Sequence, residues 1–264
     1  MDRQSDGALA VTWVGHATVL IELAGTRILT DPVLHGHAGP LRRIASPVHP
    51  DVSERIDAVL LSHLHADHVD LRSLRSLGEE TPILAPRGAG AWLTRQGFSN
   101  VQEVQSGDVT TVGEARITAT PASHSPGRRP LGALKADPLG FIVEGVRSVY
   151  FAGDTDLFDG MAQLAGKIDL ALLPVWGWGP TLGPGHLDPR RAVTAALRIA
   201  PQIAVPIHWG TLTLPRPARP PRDPLRPARE FAELMAVGAP DVEVRVLMPG
   251  ERLAPEDGWA QRRA

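Results

Sequence analysis

Three histidines and one aspartate crowd into the stretch LLSHLHADHVD, directly after an apolar run; they are His63, His65, Asp67 and His68. Imidazole nitrogens and carboxylate oxygens are the ligands that proteins offer to zinc and similar divalent ions. Burying this many imidazoles without an ion would be costly, because most of them would lack a partner. The cluster therefore predicts a metal site rather than a set of structural histidines.

The spacing of these four residues leaves two arrangements open. On an extended backbone alternate side chains share a face, so His63, His65 and Asp67 would point together and His68 would point away. A turn in this stretch would instead direct Asp67 and His68 to a second ion. The first arrangement suits one ion, and the second suits two.

Three further candidate ligands each follow an apolar run elsewhere in the chain. His124 ends ITATPASH, Asp154 ends SVYFAGD and His208 ends IAVPIH. Taken singly, each has an ordinary explanation as a structural histidine or a turn aspartate. In α/β folds, however, sites collect at the carboxyl ends of strands, where the sheet fixes the geometry and the loops carry reactive groups. Four strand ends that each carry histidine or aspartate favour one shared metal site.

The elements that must position these residues are short strands in the first third of the chain and interleaved helices later. Helices are predicted after Asp70 and Asp188, which are candidate N-caps, and over AREFAELMAVG. The stretch VEVRVLMPG is predicted to be the last strand. This pattern favours an α/β sandwich with two mixed sheets, in one domain over residues 1–264.

One segment, residues 214–229, is biased in composition and too rich in proline for a helix. It is either a solvated excursion or a flap that faces the substrate. An anionic substrate would suit its arginines, because guanidinium groups bind phosphate and carboxylate. These arginines are Arg216, Arg219, Arg222, Arg226 and Arg229.

Composition limits the classes of function. The chain has 264 residues, a formal net charge of −2 and no cysteine, which excludes disulfides, thiolate metal sites and cysteine nucleophiles. Near-neutral charge argues against nucleic acid as a partner. No signal-peptide core and no membrane-length apolar run is visible, so we expect a cytoplasmic protein with no integral membrane segment. A homo-oligomer is compatible with these data.

The string SHLHADH matches the HxHxDH signature of the metallo-β-lactamase superfamily, and His124, GDT and His208 follow in that family's order. More narrowly, GHATVLIE, FAGDT, GHLDPRRAV and PIHWGT resemble one branch. That branch contains N-acyl-phosphatidylethanolamine-hydrolysing phospholipase D and ascorbate-6-phosphate lactonase. The resemblance extends over nearly the whole chain. It implies a four-layer αββα sandwich.

The resemblance also implies two divalent metal ions and settles the spacing question in favour of a turn at Ala66. Zinc is the first expectation, and manganese or iron(II) suits the same ligands. Asp154 would bridge the two ions. The first ion would be bound by His63, His65 and His124, and the second by Asp67, His68 and His208.

Asp67 and five residues outside the ligand set have proposed roles at the site. Asp67 is a catalytic candidate, since its family counterpart is thought to orient a bridging hydroxide or accept its proton. His186 is a catalytic candidate as a donor to the substrate's oxyanion; the alternative is a solvent-exposed loop histidine. His16 and Asp31 are predicted to lie behind the ligands and orient them. Trp176 and Trp178 either pack in the core or line a pocket.

The leading hypothesis is a hydrolase in which a hydroxide between two metal ions attacks a phosphoester or a lactone or other ester. Its substrate would be a small molecule, anionic if the arginines bind it. A phosphodiesterase of phospholipids, nucleotides or RNA is the alternative. A non-catalytic metal-dependent sensor is the third reading, and the complete set of candidate ligands disfavours it.

Overall fold

Two seven-stranded sheets make up most of the protein. The computed structural model describes residues 9–127, 134–215 and 223–254. Two 3₁₀ turns cover Pro50–Ser53 and Asp159–Leu164. The helices are α1 Leu71–Leu77, α2 Gly90–Arg95, α3 Pro189–Ile199 and α4 Arg226–Gly238. The strands are β1 Leu9–Gly15, β2 Thr18–Leu23, β3 Thr26–Thr30, β4 His37–Ala38, β5 Leu41–Arg43, β6 Ala58–Leu60, β7 Ile83–Pro86, β8 Val101–Val104, β9 Val109–Val112, β10 Ala115–Pro121, β11 Leu139–Glu144, β12 Ser148–Phe151, β13 Leu170–Pro174, β14 Ile203–Ile207, β15 Leu212–Thr213, β16 Glu243–Val244 and β17 Arg252–Leu253.

Each large sheet combines antiparallel and parallel pairing. The first has the order β17-β1-β2-β3-β6-β7-β8 and is parallel from β3 to β8. The second has the order β16-β14-β13-β12-β11-β10-β9 and is parallel from β12 to β16. Helices α1 and α2 pack on the first sheet, while α3 and α4 pack on the second. The predicted four-layer sandwich with two mixed sheets is confirmed.

The core between the sheets follows from the alternation of side chains along the strands. In β10, Ala115 and Ile117 are buried in this core, whereas Arg116 between them is exposed. Strands β13 and β14 are apolar throughout, because the core covers one face and helices α3 and α4 cover the other. These rigid central strands carry the loops of the site.

Both predicted helix caps are present. The carboxylate of Asp70 accepts a hydrogen bond from the backbone N–H of Ser73, and that of Asp188 accepts one from the backbone N–H of Arg191. Each cap satisfies a donor that the first helical turn would leave unpaired. Among the described residues, no helix has the length and apolar character needed to span a membrane.

The prediction that proline excludes a helix up to residue 229 is wrong at its C-terminal end. Helix α4 begins at Arg226, and Pro227 lies in its first turn, where a missing N–H removes no helical hydrogen bond. The three arginines before it, Arg216, Arg219 and Arg222, lie outside the described residues.

The predicted last strand is also wrong in extent. Only Glu243 and Val244 of VEVRVLMPG pair, beside β14, and a further strand, β17, pairs with β1. A third sheet of three short strands, β15-β5-β4, was not predicted, since strands of two or three residues give no clear alternation. This small sheet contacts the site loop, because a Cβ on Gly39 would lie 3.1 Å from Cβ of Ala66.

Candidate metal centre

The residues singled out in the sequence come together where strands of both large sheets end. His63 follows β6 and Asp31 follows the neighbouring parallel strand β3. From the second sheet, His124 follows β10, Asp154 follows β12 and His208 follows β14. Residues 66–68 form a turn after the extended stretch at His63 to His65. The turn expected at Ala66 is therefore present.

One group of ligand atoms consists of three imidazole nitrogens, from His63, His65 and His124; we call it the three-histidine group. Nδ1 of His65 lies 3.0 Å from Nε2 of His63 and 3.0 Å from Nε2 of His124. Zinc–nitrogen bonds of about 2.0–2.1 Å would place tetrahedral neighbours about 3.3 Å apart. The three nitrogens thus have the spacing of ligands to one ion.

Hydrogen-bond partners determine which nitrogen carries the proton in two histidines of this group. Nδ1 of His124 lies 2.6 Å from the carbonyl oxygen of Gly185, which can only accept, so Nδ1 donates and Nε2 keeps its lone pair. The hydroxyl of Ser62 donates to Asp31 and lies 2.9 Å from Nδ1 of His63, from which it can accept. Unprotonated Nε2 atoms therefore face each other in the group, an arrangement that a cation satisfies.

The second group, which we call the mixed group, consists of Asp67, His68 and His208. Nε2 of His68 lies 3.1 Å from Nε2 of His208 and 3.7 Å from Oδ2 of Asp67. His68 Nδ1 contacts Oδ2 of Asp31 at 2.7 Å, and His208 Nδ1 donates to the carbonyl of Trp176 at 2.8 Å. Both Nε2 atoms therefore point toward the interior of the group.

Asp154 lies between the two groups. Its Oδ2 is 3.2 Å from Nε2 of His68 and 4.0 Å from Nε2 of both His63 and His124. Its Oδ1 is 3.1 Å from Nε2 of His208, yet this buried oxygen accepts no hydrogen bond from any described residue. A buried carboxylate oxygen without a donor is well suited to contact a cation.

Burial keeps the three-histidine group neutral. It lowers the pKa of His65 to about 4, with His124 and His68 adding to the effect. Burial likewise lowers the pKa of His63 and of His124, against the opposite influence of Asp154. Neutral imidazoles have the free lone pairs that a metal ligand needs.

The mixed group differs at His68, whereas burial lowers the pKa of its other histidine, His208, as it does in the three-histidine group. Burial alone would lower the pKa of His68, but Asp154, Asp67 and Asp31 outweigh it and raise that pKa well above its ordinary value. Burial would raise the pKa of Asp154, but His208 and His68 hold it well below the usual range. Positive charge is thus favoured among these carboxylates, as it would be for a bound cation.

Two buried residues, Asp31 and His16, were predicted to orient the ligands from behind. Asp31 contacts a histidine ligand, whereas His16 contacts a carboxylate ligand. Asp31 contacts Nδ1 of His68 and accepts from Ser62, as expected of an orienting carboxylate. His16 instead contacts a carboxylate: its Nε2 lies 3.0 Å from Oδ2 of Asp67, and its ring centroid is 3.8 Å from that of His208. A ring nitrogen of His16 lies within 4.8 Å of the ligand atoms of the mixed group.

The backbone at this site is held in the left-handed region. His16, Asp31 and His208 have φ values of 54°, 34° and 66°. Residues other than glycine adopt such values at an energetic cost that surrounding contacts must offset, and these residues cluster at functional sites. The backbone N–H of His208 donates to the carbonyl of His16, so the two strained residues hold each other.

Two glycines allow loops to approach the ligands closely. At Gly153, with φ of 60°, a Cβ would lie 2.7 Å from Cβ of Ser62. At Gly185, with φ of 79°, a Cβ would lie 3.0 Å from Nδ1 of His124. A side chain at Gly185 would displace the carbonyl that fixes the proton of His124.

His186 reaches the centre rather than pointing to solvent. Its Nε2 lies 3.4 Å from Oδ2 of Asp154, and its ring contacts His124 edge to face. Nδ1 lies 3.1 Å from the carbonyls of Gly183 and Pro184, so Nδ1 carries a proton. Burial would lower the pKa of His186, but Asp154 and these carbonyls outweigh it and raise that pKa.

Three comparisons with known proteins agree with this geometry. A family model described as "Beta-lactamase superfamily domain" matches residues 26–209. A UPF0173 metal-dependent hydrolase of Methanopyrus kandleri is 35% identical over 259 residues, covering 92% of this chain and 98% of the relative. An N-acyl-phosphatidylethanolamine-hydrolyzing phospholipase D of Caenorhabditis elegans is 30% identical over 236 residues, covering 80% of this chain and 66% of the relative.

A solved structure agrees as well. Igni18, a metallo hydrolase from Ignicoccus hospitalis, matches with a TM-score of 0.71 and 25% identity over 94% of this chain and 98% of that one. Fold, ligand cluster and relatives together define a metal-dependent hydrolase. The chain belongs to the metallo-β-lactamase superfamily. The predicted family and enzyme class are confirmed.

Proposed function

We propose that this protein binds two divalent ions and hydrolyses a phosphoester, or a lactone or other ester, of a small molecule. The three-histidine group would bind one ion and the mixed group the other, with Asp154 contacting both. The observation that carries the proposal is the convergence of ring nitrogens from both groups on the buried carboxylate of Asp154, whose Oδ1 accepts no hydrogen bond from any described residue. Nitrogen and oxygen ligands fit zinc best, and they fit manganese and iron(II) as well.

When bound, such ions lower the pKa of water toward neutrality and stabilise the negative charge that develops on the substrate. Side chains of this protein would position the attacking water and accept its proton. Asp67 is 12% exposed at its side chain and is held by His16, so it can orient the attacking water and accept its proton. His16 and His68 lower the pKa of Asp67, which keeps the carboxylate ionised although burial opposes this.

His186 is proposed as the residue that binds the substrate oxygen. Its side chain is 21% exposed, and its raised pKa favours a protonated ring near neutral pH. A cation at this place can donate to a phosphoryl or carbonyl oxygen, or protonate the leaving group. Because Asp154 contacts Nε2 of His186, the donor is already directed toward the centre.

An anionic substrate is supported by His186 more than by the arginines. Arg229 lies 3.1 Å from Asp223, and Arg226 lies 4.0 Å from Glu230, so both described arginines of residues 214–229 face an acidic partner. A phosphodiester of a phospholipid is the second candidate substrate. The similarity to an enzyme named for hydrolysing N-acyl-phosphatidylethanolamine favours it.

The proposal is tested by loading the metal-free protein with zinc, manganese or iron(II) and assaying phosphodiesters, lactones and acyl esters. Hydrolysis of at least one class by protein that carries two ions per chain is expected. The variant His186→Gln should lower kcat by about 10²–10⁴-fold while it keeps both ions. His49→Ala is the control, because His49 is exposed. Protein that carries two ions yet leaves every substrate intact would contradict the proposal.

A further inference from the structure

A cavity of about 330 Å³ lies beside the metal centre, between the loop after β13, the start of α3 and the start of α4. Its size is at the lower end of the range for small-molecule sites. We call it the tryptophan cavity. Its apolar lining comes from Trp176, Trp178, Pro180, Pro189, Leu212 and Pro224. None of the residues that form the two ligand groups lines it.

The tryptophan cavity is adjacent to the mixed group. The carbonyl of Trp176 accepts a hydrogen bond from Nδ1 of His208. A residue that lines the cavity therefore also orients a candidate ligand. Gly177, which also lines the cavity, lies near the same histidine: a Cβ there would lie 4.0 Å from Cε1 of His208. The cavity therefore adjoins the mixed group through Trp176 and Gly177.

Trp178 distinguishes this cavity from ordinary core packing. It is 38% exposed, whereas Trp13 and Trp209, whose rings contact each other at a tilt of 36°, are fully buried in the core. The neighbouring Trp176 is held by a hydrogen bond from its Nε1 to the carbonyl of Gly179. Tryptophan and proline side chains present rigid apolar surfaces that lose little conformational entropy on binding.

The described charged residues of the lining do not favour a phosphate or carboxylate as the group bound there. The charged lining residues are Asp223, Arg226 and Glu230. Each acid faces an arginine of the same segment, Asp223 facing Arg229 at 3.1 Å and Glu230 facing Arg226 at 4.0 Å. Within the described residues no uncompensated cation therefore lines the cavity, and an anion would gain little from it.

We propose that the tryptophan cavity binds a neutral, ring-bearing apolar group of the substrate, stacked on the indole of Trp178. This inference rests on the proposed function for the reacting bond, and it adds the class of group attached to that bond. Aromatic or alicyclic substituents would be preferred over short alkyl groups, because a ring covers more of the indole face than a short alkyl group does.

The test compares two phosphodiesters that share the 4-nitrophenolate leaving group and differ in the other ester group, methyl or 2-naphthylmethyl. For the unmodified protein, we expect KM to be about tenfold lower for the naphthylmethyl ester. Trp178→Ala should remove this difference and leave kcat and the methyl ester's KM unchanged. Trp178→Phe should keep most of it, because the aromatic face remains.

Val237→Ala is the matched control, since Val237 is an 86% exposed apolar residue on α4, the helix whose first turn lines the cavity. Metal content, measured for every variant, reports whether the fold and centre are intact. Equal KM values for the two esters in the unmodified protein would overturn the inference. A Trp178→Ala variant that impairs both esters equally would overturn it as well.

Failure of the proposed function is recognised separately, when the metal-loaded protein leaves phosphodiesters, lactones and acyl esters all intact. Calorimetric measurement of 2-naphthylmethanol binding then tests whether the cavity binds a ring, independently of any reaction at the centre. Binding that Trp178→Ala weakens about tenfold and Val237→Ala leaves unchanged would support the inference. An absence of binding to the unmodified protein would overturn it.

Discussion

The two halves of the metal centre use different means to attract a cation. The three-histidine group is neutral, since burial lowers the pKa of all three of its members. The mixed group contains ionised carboxylate, and the pKa of its His68 is raised. In the proposed two-ion centre, three neutral imidazoles and the shared Asp154 would face the first ion, whereas Asp67 would add a second negative charge at the other ion. The mixed group should therefore bind its ion more strongly.

The halves also differ at one ligand, His65, because His63 and His124 of the three-histidine group are fixed at Nδ1 by Ser62 and by the carbonyl of Gly185. His68 and His208 are fully buried, and each is fixed at Nδ1 by Asp31 or by the carbonyl of Trp176. His65 is half-buried, and among the described residues its Nε2 has no hydrogen-bond partner. A ligand fixed at its second nitrogen loses less entropy on binding metal. Rigidity and charge thus favour the same half.

The largest effect is expected from Asp154→Asn, because Asp154 is the residue that contacts both halves. Asparagine keeps the shape but removes the negative charge. We expect fewer than two ions per chain and a loss of kcat/KM of more than about 100-fold, beyond the range for residues one contact removed from a metal. Atomic emission and the substrate panel measure these two quantities.

Asp159→Asn is the control for this change, since Asp159 is exposed in the same loop region. It should leave metal content and turnover unchanged. An Asp154→Asn variant that retains two ions and full turnover would show that the two halves work independently of this carboxylate.

Removing one ligand from each half gives the next largest effect. His65→Ala should lose the ion of the three-histidine group and keep the other, and His208→Ala should do the reverse. Each variant is expected to carry about one ion per chain. His208→Ala should also lower the melting temperature more, because it leaves a buried void and an unpaired carbonyl at Trp176.

If each variant lost both ions, the division into halves would be contradicted. Such a result would mean that the two sites bind their ions cooperatively. His49→Ala again serves as the control for loss of an imidazole. Spectroscopy on cobalt-substituted protein would identify which ion remains, since the ligand sets of the two groups differ.

These comparisons also show what the sequence could predict. The seven candidate ligands follow from local patterns: an apolar run that ends in histidine or aspartate indicates a strand end, and the caps Asp70 and Asp188 mark helix starts. Such signals depend only on neighbours along the chain. They predicted an α/β sandwich with two mixed sheets and placed the candidate ligands at strand ends, whereas the four-layer arrangement was implied by the family resemblance.

Contacts between distant segments could not be predicted in this way. His16 takes its position from a hydrogen bond between its backbone N–H and Thr211, 195 residues away, and from the partner it finds in Asp67. The pairing of Arg229 with Asp223 depends on where α4 begins, and the segment's proline content obscured that start. In both cases the sequence shows the residue type but not its partner.

His16→Asn tests the support of the mixed group and should have an intermediate effect. Asparagine tolerates the positive φ at this position better than most residues, but it is too short to keep the contact with Asp67. We expect affinity for the second ion to fall about 10–100-fold, as for other residues that orient ligands. Affinity for the first ion should not change.

The comparison for His16→Asn is Asp31→Asn, because Asp31 contacts His68 and also Ser62, which contacts His63. His16→Asn should lower the affinity of the mixed group alone, whereas Asp31→Asn should lower the affinity of both groups, as measured by metal titration. If His16→Asn weakened the two ions equally, His16 would support the fold of the whole centre rather than one half.

The smallest expected effect concerns the rate at which a chelator removes the ions from the unmodified protein. Because His65 is half-buried and held by fewer contacts, the ion of the three-histidine group should leave first, and the ion among the carboxylates later. A colorimetric chelator should therefore report two phases. His65→Ala should lack the fast phase, and His208→Ala should lack the slow one. A single phase in the unmodified protein, or the reverse assignment, would mean that negative charge and anchored imidazoles do not determine which ion is held longer.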